Sequence, residues 1–464
     1  MAQAGTPNRK LAVLITDAGL THAQVARAIT RVAAETGADE LAEVGRSHVS
    51  KWVAGVRPSG RAPALLCEAL SRLVGQLVTP ERIGLEDNDA VVPGSVDWRA
   101  DTLITLADLG RGDLDIDRRS VLSAAVYSLA AAALPAPGWW TDMVARGRAR
   151  HTPAGQQIGQ TDVDGVRDMV QLFSQVDQRR GGGHARTAVV QYLATDVSGL
   201  LHGRFADEQV RRDMFTAASE LAYLSGWMSF DNAEQATAQR YFQLAVKLAA
   251  EADDPAMAGH VLRAMAHQAV DLGAPQRALA LADASVDGRR YTEASAREKA
   301  LIGVVHARAL AASGDRRKAA TALIRAEKDL TDAKPGDGEP ARVFFFSEAS
   351  LAHETACALR DSQDLKGAIT QYRRSVRTRK ATAFTRTHAV TLGYLGEAQA
   401  RLSQIEQACA TWNRSLDAMQ GVRSGRTRQV ARTIRAVLSP LRSRGIPAVA
   451  ETDARAAAYL AASR

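Results

Sequence analysis

The side chains with the most evident chemistry lie in the stretch Gly45–Arg61, GRSHVSKWVAGVRPSGR, which holds Arg46, Lys51, Arg57 and Arg61 and no acid. Cations at this density suit phosphates, and Arg, Ser and His side chains also reach base edges. On a helix from about Arg46 to Ala54, closed by Gly55, the apolar Val49, Trp52 and Val53 share one face and would anchor it on a core. Arg46, Ser47, His48, Ser50 and Lys51 are then left facing outward. A second group is His260 and His267, two helical turns apart with Asp271 nearby, readable as polar lining of a helical array or as part of a ligand site. The C-terminal stretches Leu365–Gly396 and Ala418–Ala450 each carry seven basic residues and no acid. Within the second, Arg423, Arg426, Arg428 and Arg432 form either a solvated face or a site for an anionic ligand or a DNA backbone.

Other constellations point away from catalysis. RRGGGH, Arg179–His184, lacks the GxxxxGK[ST] frame of a phosphate loop and follows no strand pattern, so a turn between two helices is expected, with Arg179 and Arg180 closing the first. No Ser/His/Asp or paired-carboxylate spacing stands out. Cys67, Cys357 and Cys409 lie far apart without ligand spacing. Neither an enzyme, a metal site, a cofactor nor a disulfide framework is expected, and the cysteine usage fits a reducing cytoplasm.

The elements that would position these residues follow from the pattern. The chain has 464 residues, 46% hydrophobic and 24% charged, with few aromatics and much alanine, which favours helices and more than one domain. Its net charge of +8 is concentrated in the last hundred residues, the rest being slightly acidic. RKLAVLITD (9–17) reads as a helix ended by Gly19. LTHAQVARAIT opens a second, with Thr21 as N-cap and Gln24 as its capping-box partner. The polar stretch Arg31–Glu43 follows, then the basic helix, then APALLCEALSRLVG as an amphipathic helix. Residues 89–150 form a connection. In it, DRRSVLSAAVYSLAAAALPAPG (117–138) imitates a twin-arginine signal but is placed too far along the chain and is too short to span a bilayer, so a buried helix is expected and no membrane partner.

Beyond residue 150 the chain repeats itself. Helices are expected to begin at Ala238, Ala278, Ala319, Ala368 and Ala408, spaced by 40, 41, 49 and 40 residues. Four residues on stand Phe242, Ala282, Leu323, Tyr372 and Trp412, and seven residues on the small Ala245, Ser285, Ala326, Ser375 and Ser415. Small positions let helices approach and large ones fill the gaps between them, as helix-pair repeats require. Turn-like residues precede the middle three: GAP (273–275), SGD (313–315) and SQD (362–364).

Leu20–Gly55 resembles the XRE, or lambda-repressor-like, helix-turn-helix. RSHVSKWVAGVRPSGRAPALLCEALSRLVGQLVTPERIGLED resembles the DNA-binding part of large Streptomyces-type XRE regulators with tetratricopeptide-like repeats, and GWMSFDNAEQATAQRYFQLAVKLAAEADD, HVLRAMAHQAVDLGAPQRALALADAS and RRGGGHARTAVVQYL resemble their repeat region. The resemblance implies an all-α protein, with a DNA-binding domain in 1–88, a connection in 89–150 and a repeat domain in 151–464 for sensing and dimerisation. It places the start of a recognition helix on Arg46, Ser47 and His48 with Lys51 one turn later, and a phosphate contact near Thr21 or His22; Arg57 and Arg61 complete the candidate DNA contacts. Arg31–Glu43 departs from the compact family pattern as an insertion. The expected partners are double-stranded DNA at a palindromic operator, a second copy of the chain, and a peptide, small-molecule or protein effector. The function implied is transcriptional regulation of differentiation or secondary metabolism; a repeat adaptor with a vestigial helix-turn-helix is the alternative.

Overall fold

In the computed structural model the described residues are 7–35, 38–74, 78, 80–85, 97–115, 127, 133–150, 155–334 and 338–462. They are almost wholly helical, the exception being a two-residue parallel pairing of β1 (Gln157–Ile158) with β2 (Arg204–Phe205).

The N-terminal unit is α1 (Arg9–Asp17), α2 (His22–Glu35), α3 (Arg46–Val53) and α4 (Ala62–Val74), closed by a 3₁₀ turn at Glu81–Ile83. It has its own core, built on Leu11, Val25, Ile29, Val49, Leu65 and Leu70. Local chemistry fixes its joints. Asn8 caps α1 by accepting from the Leu11 N–H, donates from Nδ2 to the Ile83 carbonyl at 2.8 Å, and its N–H bonds the Val53 carbonyl at 2.9 Å. One residue thus ties α1, the end of α3 and the closing turn together. The Thr21–Gln24 capping box forms, the Thr21 N–H and hydroxyl both donating to Gln24 Oε1 and the Gln24 N–H returning to Thr21 Oγ1. The stretch Arg31–Glu43 is not simply a long turn. α2 runs on through Glu35, where alanines keep the helix favourable and bury Val32 and Ala33, and a 3₁₀ turn at Asp39–Leu41 follows.

The longer helices that follow among the described residues are α5 (Thr102–Leu114), α6 (Trp139–Ala149), α7 (Gln160–Arg180), α8 (Gly182–Tyr192), α9 (Glu208–Asp231), α10 (Gln235–Glu251), α11 (Pro255–Asp271), α12 (Pro275–Ser285), α13 (Ala296–Ala312), α14 (Arg316–Asp332), α15 (Glu348–Asp361), α16 (Leu365–Thr378), α17 (Thr385–Arg401), α18 (Ile405–Ala418), α19 (Gly425–Leu438) and α20 (Pro447–Ala462). From α9 to α18 they pack as successive pairs, each first helix also touching the first helix of the next pair. α5 and α6 pack on α10, and Lys247 of α10 holds the connection by donating to the carbonyls of Asp97 and Ala100. The apolar stretch of 117–138 lies largely outside the described residues.

The expected repeat helices all exist, but each starts three residues earlier, at Gln235, Pro275, Arg316, Leu365 and Ile405. The five marker alanines therefore sit one turn inside the helix, at most 3% exposed, and the five small residues seven positions later are fully buried. The turn inside each pair is built alike. A residue with positive φ stands two before each second helix: Ala233, Gly273, Gly314, Gln363 and Ser403. The next N–H reaches five residues back, as from Glu234 to Ser229 and from Gln404 to Gln399, which satisfies carbonyls left open at the helix end. The sequence signal found only the middle three turns, because Ala233 and Ser403 do not advertise a left-handed conformation. The large markers fit against glycines of the partner helix: a Cβ on Gly226 would sit 2.7 Å from Phe242, and one on Gly396 2.4 Å from Trp412.

The array also curls until its ends meet. α7 packs on α17, the Arg423 N–H bonds the Arg180 carbonyl at 2.7 Å, and the Gly183 N–H bonds the Arg423 carbonyl at 3.0 Å. This explains the glycine run 181–183. A Cβ on Gly181 would come within 2.4 Å of the Arg423 carbonyl oxygen, so the run is a packing surface as well as the expected turn.

Candidate nucleic-acid interface and the buried charge network

α3 presents the side chains singled out from the sequence in two groups. Val49 and Trp52 are buried and Val53 is half-buried, so one face is committed to the core. Arg46, Ser47, His48 and Lys51 are exposed together on the other, and Arg57 is exposed just beyond it. His48 also accepts the Gly45 N–H through Nδ1 at 3.1 Å, which fixes its ring at the start of the helix. Ser50 is half-buried and its Oγ lies 2.9 Å from His22 Nδ1, so these two candidates hold α2 and α3 together. Thr21 is exposed and engaged in the capping box. Arg61 lies 3.9 Å from Glu40. With no acid between Val44 and Cys67, the exposed face of α3 is a short cationic ridge carrying hydrogen-bonding groups that differ in reach.

The unit rests on the helical array. Arg72, paired with Glu68 at 2.8 Å, donates to the Leu272 carbonyl at 3.4 Å, and the Arg31 guanidinium approaches Gly273. Leu272 and Gly273 form the turn of the α11–α12 pair.

His260 and His267 lie on one face of α11, as their spacing implies, and both are buried. His260 Nδ1 is 2.8 Å from Glu298, which also accepts from Arg342 at 2.7 Å. Burial pushes the His260 imidazole down to about 4, with Arg263 adding to the effect. Burial alone would raise the Glu298 carboxyl, but Arg342 and His260 outweigh it and hold it down to about 2. His267 stands 3.5 Å from Asp271 and 3.7 Å from Glu354, edge-on to Trp227 and Phe230. Arg308 adds a 2.6 Å bond to Asp271 and one of 3.1 Å to Asp361. At the seam where the array closes, Arg386 bridges Asp177 at 3.1 Å and Asp231 at 3.3 Å.

The four C-terminal arginines do not form one surface. Arg423 and Arg432 are exposed. Arg428 reaches Asn232 at 3.2 Å, and Arg426 turns inward between Tyr394, Phe230 and Asp271. The inward residues Arg263, Arg342, Arg379 and Arg386 gave no periodic signal, because a buried arginine is spelled like an exposed one.

Among the described residues no cluster of three or more His, Cys, Asp and Glu is placed to hold a metal ion, and no helix is long and apolar enough to cross a membrane. Cys67, Cys357 and Cys409 are buried and form no disulfide with one another. Residues 11–86 match the family model described as the SP15 N-terminal domain. The match spans the unit with its own core and leaves the helical pairs uncovered. No curated protein matches the chain.

Proposed function

We propose that the protein is a sequence-specific DNA-binding transcriptional regulator, in which α2 and α3 serve as a helix-turn-helix and the helical pairs as a tetratricopeptide-like domain for sensing and dimerisation. The observation that carries this reading is the exposed face of α3, where Arg46, Ser47, His48 and Lys51 stand together while Val49 and Trp52 lock the opposite side. The likeness of Leu20–Gly55 to XRE-type domains agrees with it. In this arrangement Arg46 and Lys51 contact base edges or phosphates, Thr21 at the start of α2 lies over the backbone, and His22 and Ser50 set the angle between the helices. One such unit covers a half-site, so a homodimer on a palindrome is the working form.

The test is a genome-wide selection of bound fragments followed by gel shift at fixed salt. Arg46→Ala or Lys51→Ala lowers operator affinity by about 1–3 kcal/mol with the helical circular dichroism unchanged. Unaltered affinity in both variants removes α3 from the interface. Light scattering of a chain lacking residues 1–88 reads the second half: a dimer is expected at micromolar concentration, and a monomer refutes assembly through the repeats.

A further inference from the structure

Between α7, α9, α11, α15 and α17 lies a cavity of about 80 Å³ whose wall carries five arginines, Arg263, Arg342, Arg379, Arg386 and Arg426. Three are not alike in their partners to the other two. Arg342 is neutralised by Glu220 at 3.0 Å and Glu298, and Arg386 by Asp177 and Asp231. Arg426 has one carboxylate, Asp271, no nearer than 3.9 Å. Arg263 and Arg379 have none within 4.0 Å among the described residues, although they are 2% and 8% exposed. Arg263 is held through Nη2 by Tyr223 Oη at 2.8 Å and His260 Nε2 at 3.1 Å, and Arg379 through Nη2 by the Ala349 carbonyl at 2.9 Å and Ser375 Oγ at 3.1 Å. The Nε of each, and that of Arg426, finds no partner.

A buried guanidinium without an anion is costly, and a fixed one with an open Nε–H is placed to donate it to an oxyanion. Burial shows its cost at Arg379, whose guanidinium is pushed down to about 10. The rest of the wall sets the aromatic rings of Trp227, Phe344, Phe345 and Phe346 beside three carboxylates, Asp177 and Glu220, which pair with Arg386 and Arg342, and Glu354, which lies 3.7 Å from His267 and 3.9 Å from Arg308. A cavity of this size takes several waters or one small anion. We infer that this cavity is a binding site for a small organic monocarboxylate, its carboxylate held by Arg263 and Arg379 and its apolar body against Trp227 and the Phe344–Phe346 run. Phosphate would satisfy the arginines but leave the aromatic wall unused, and an alcohol of the same shape would satisfy the wall but leave the arginines open. The site deepens the sensing role proposed above and rests on it only for its use; binding itself is read on the DNA-free chain.

The experiment is titration calorimetry and thermal denaturation of the full chain with butyrate, benzoate, 1-butanol, benzyl alcohol and inorganic phosphate. A saturable rise in Tm is expected with at least one carboxylate and with neither alcohol. Arg263→Gln and Arg379→Gln each weaken that binding by about tenfold or more, the loss of a charge-assisted hydrogen bond from Nε. Should either variant fail to fold, Ser174→Phe, which fills the cavity from α7, abolishes binding in its place. Equal binding of acid and alcohol, binding of phosphate alone, no saturable binding of either carboxylate at about 10 mM, a dissociation constant typical of nonspecific association, or binding unchanged in the folded variants overturns the proposal. Loss of operator binding leaves it standing, and loss of carboxylate binding leaves the DNA reading standing.

Discussion

The two regions of the molecule use charge in opposite ways. In the N-terminal unit the core is aliphatic with one tryptophan and the basic residues of α3 face water. In the helical array many charges also face inward. α10 and α11 are buried along nearly their whole length, and Lys247, Glu251, His260 and Arg263 are buried with them. A short helix with one apolar stripe can leave its polar face to solvent and to a ligand. A helix enclosed on all sides must satisfy each polar group internally, so its charges become part of the fold. The difference teaches where each region is vulnerable: a charge removed from the exposed face of α3 costs the first little stability, whereas a buried charge removed from the array costs the second much.

The largest effect expected from breaking this contrast is at Glu298. Glu298→Ala leaves Arg342 with Glu220 alone and His260 without its acceptor, and should cost about 3–5 kcal/mol in urea unfolding. Glu40→Ala, at the exposed Arg61 pair of the N-terminal unit, should cost less than about 0.5 kcal/mol. Equal losses at the two sites would erase the distinction.

Acid is the next probe. Burial lowers His260 to about 4 and His353 to about 3, so between pH 6.5 and 4 the unfolded chain binds two protons there that the fold refuses. Burial, together with Asp231, raises Asp177 to about 7 against the pull of Arg386, so over the same range the fold binds one proton the unfolded chain does not. Among these three groups the balance is one proton in favour of the unfolded state. Stability should therefore fall as pH drops from 6.5 toward 4, by about 1.4 kcal/mol per unit. His353→Gln should flatten the slope; stability that rises as pH drops in the native chain would show these histidines to be charged in the fold, leaving only the Asp177 proton in the balance.

Smaller effects sharpen the reading of the repeated turns. Ala233→Gly, Gln363→Gly and Ser403→Gly relieve a left-handed conformation and should each stabilise by about 0.5–1 kcal/mol after the greater freedom of glycine when unfolded is subtracted. Gly314→Ala, at the equivalent turn, should destabilise by about 1–2 kcal/mol. The same sign at all of these sites would mean the turns are not equivalent.

Much of this fold is written in local sequence. α1 coincides with its apolar spacing, Thr21 and Gln24 pair as a capping box, and Ala, large and small residues at fixed offsets locate five helices to within a turn. These features depend on neighbours three or four residues away, and such neighbours are visible in the sequence. The exposed face of α3 is legible for the same reason, because burying Val49 and Trp52 decides where Arg46 and Lys51 point. What only the tertiary structure decided is which charges are inside. Arg426 and Arg432 are six residues apart in one basic run, yet the first packs on Phe230 and Tyr394 while the second is exposed. Arg386 meets Asp177 from 209 residues away. Such pairings depend on how far the array curls before α17 meets α7, and that curvature is the sum of small packing angles contributed by every helix pair, which no single stretch of residues specifies.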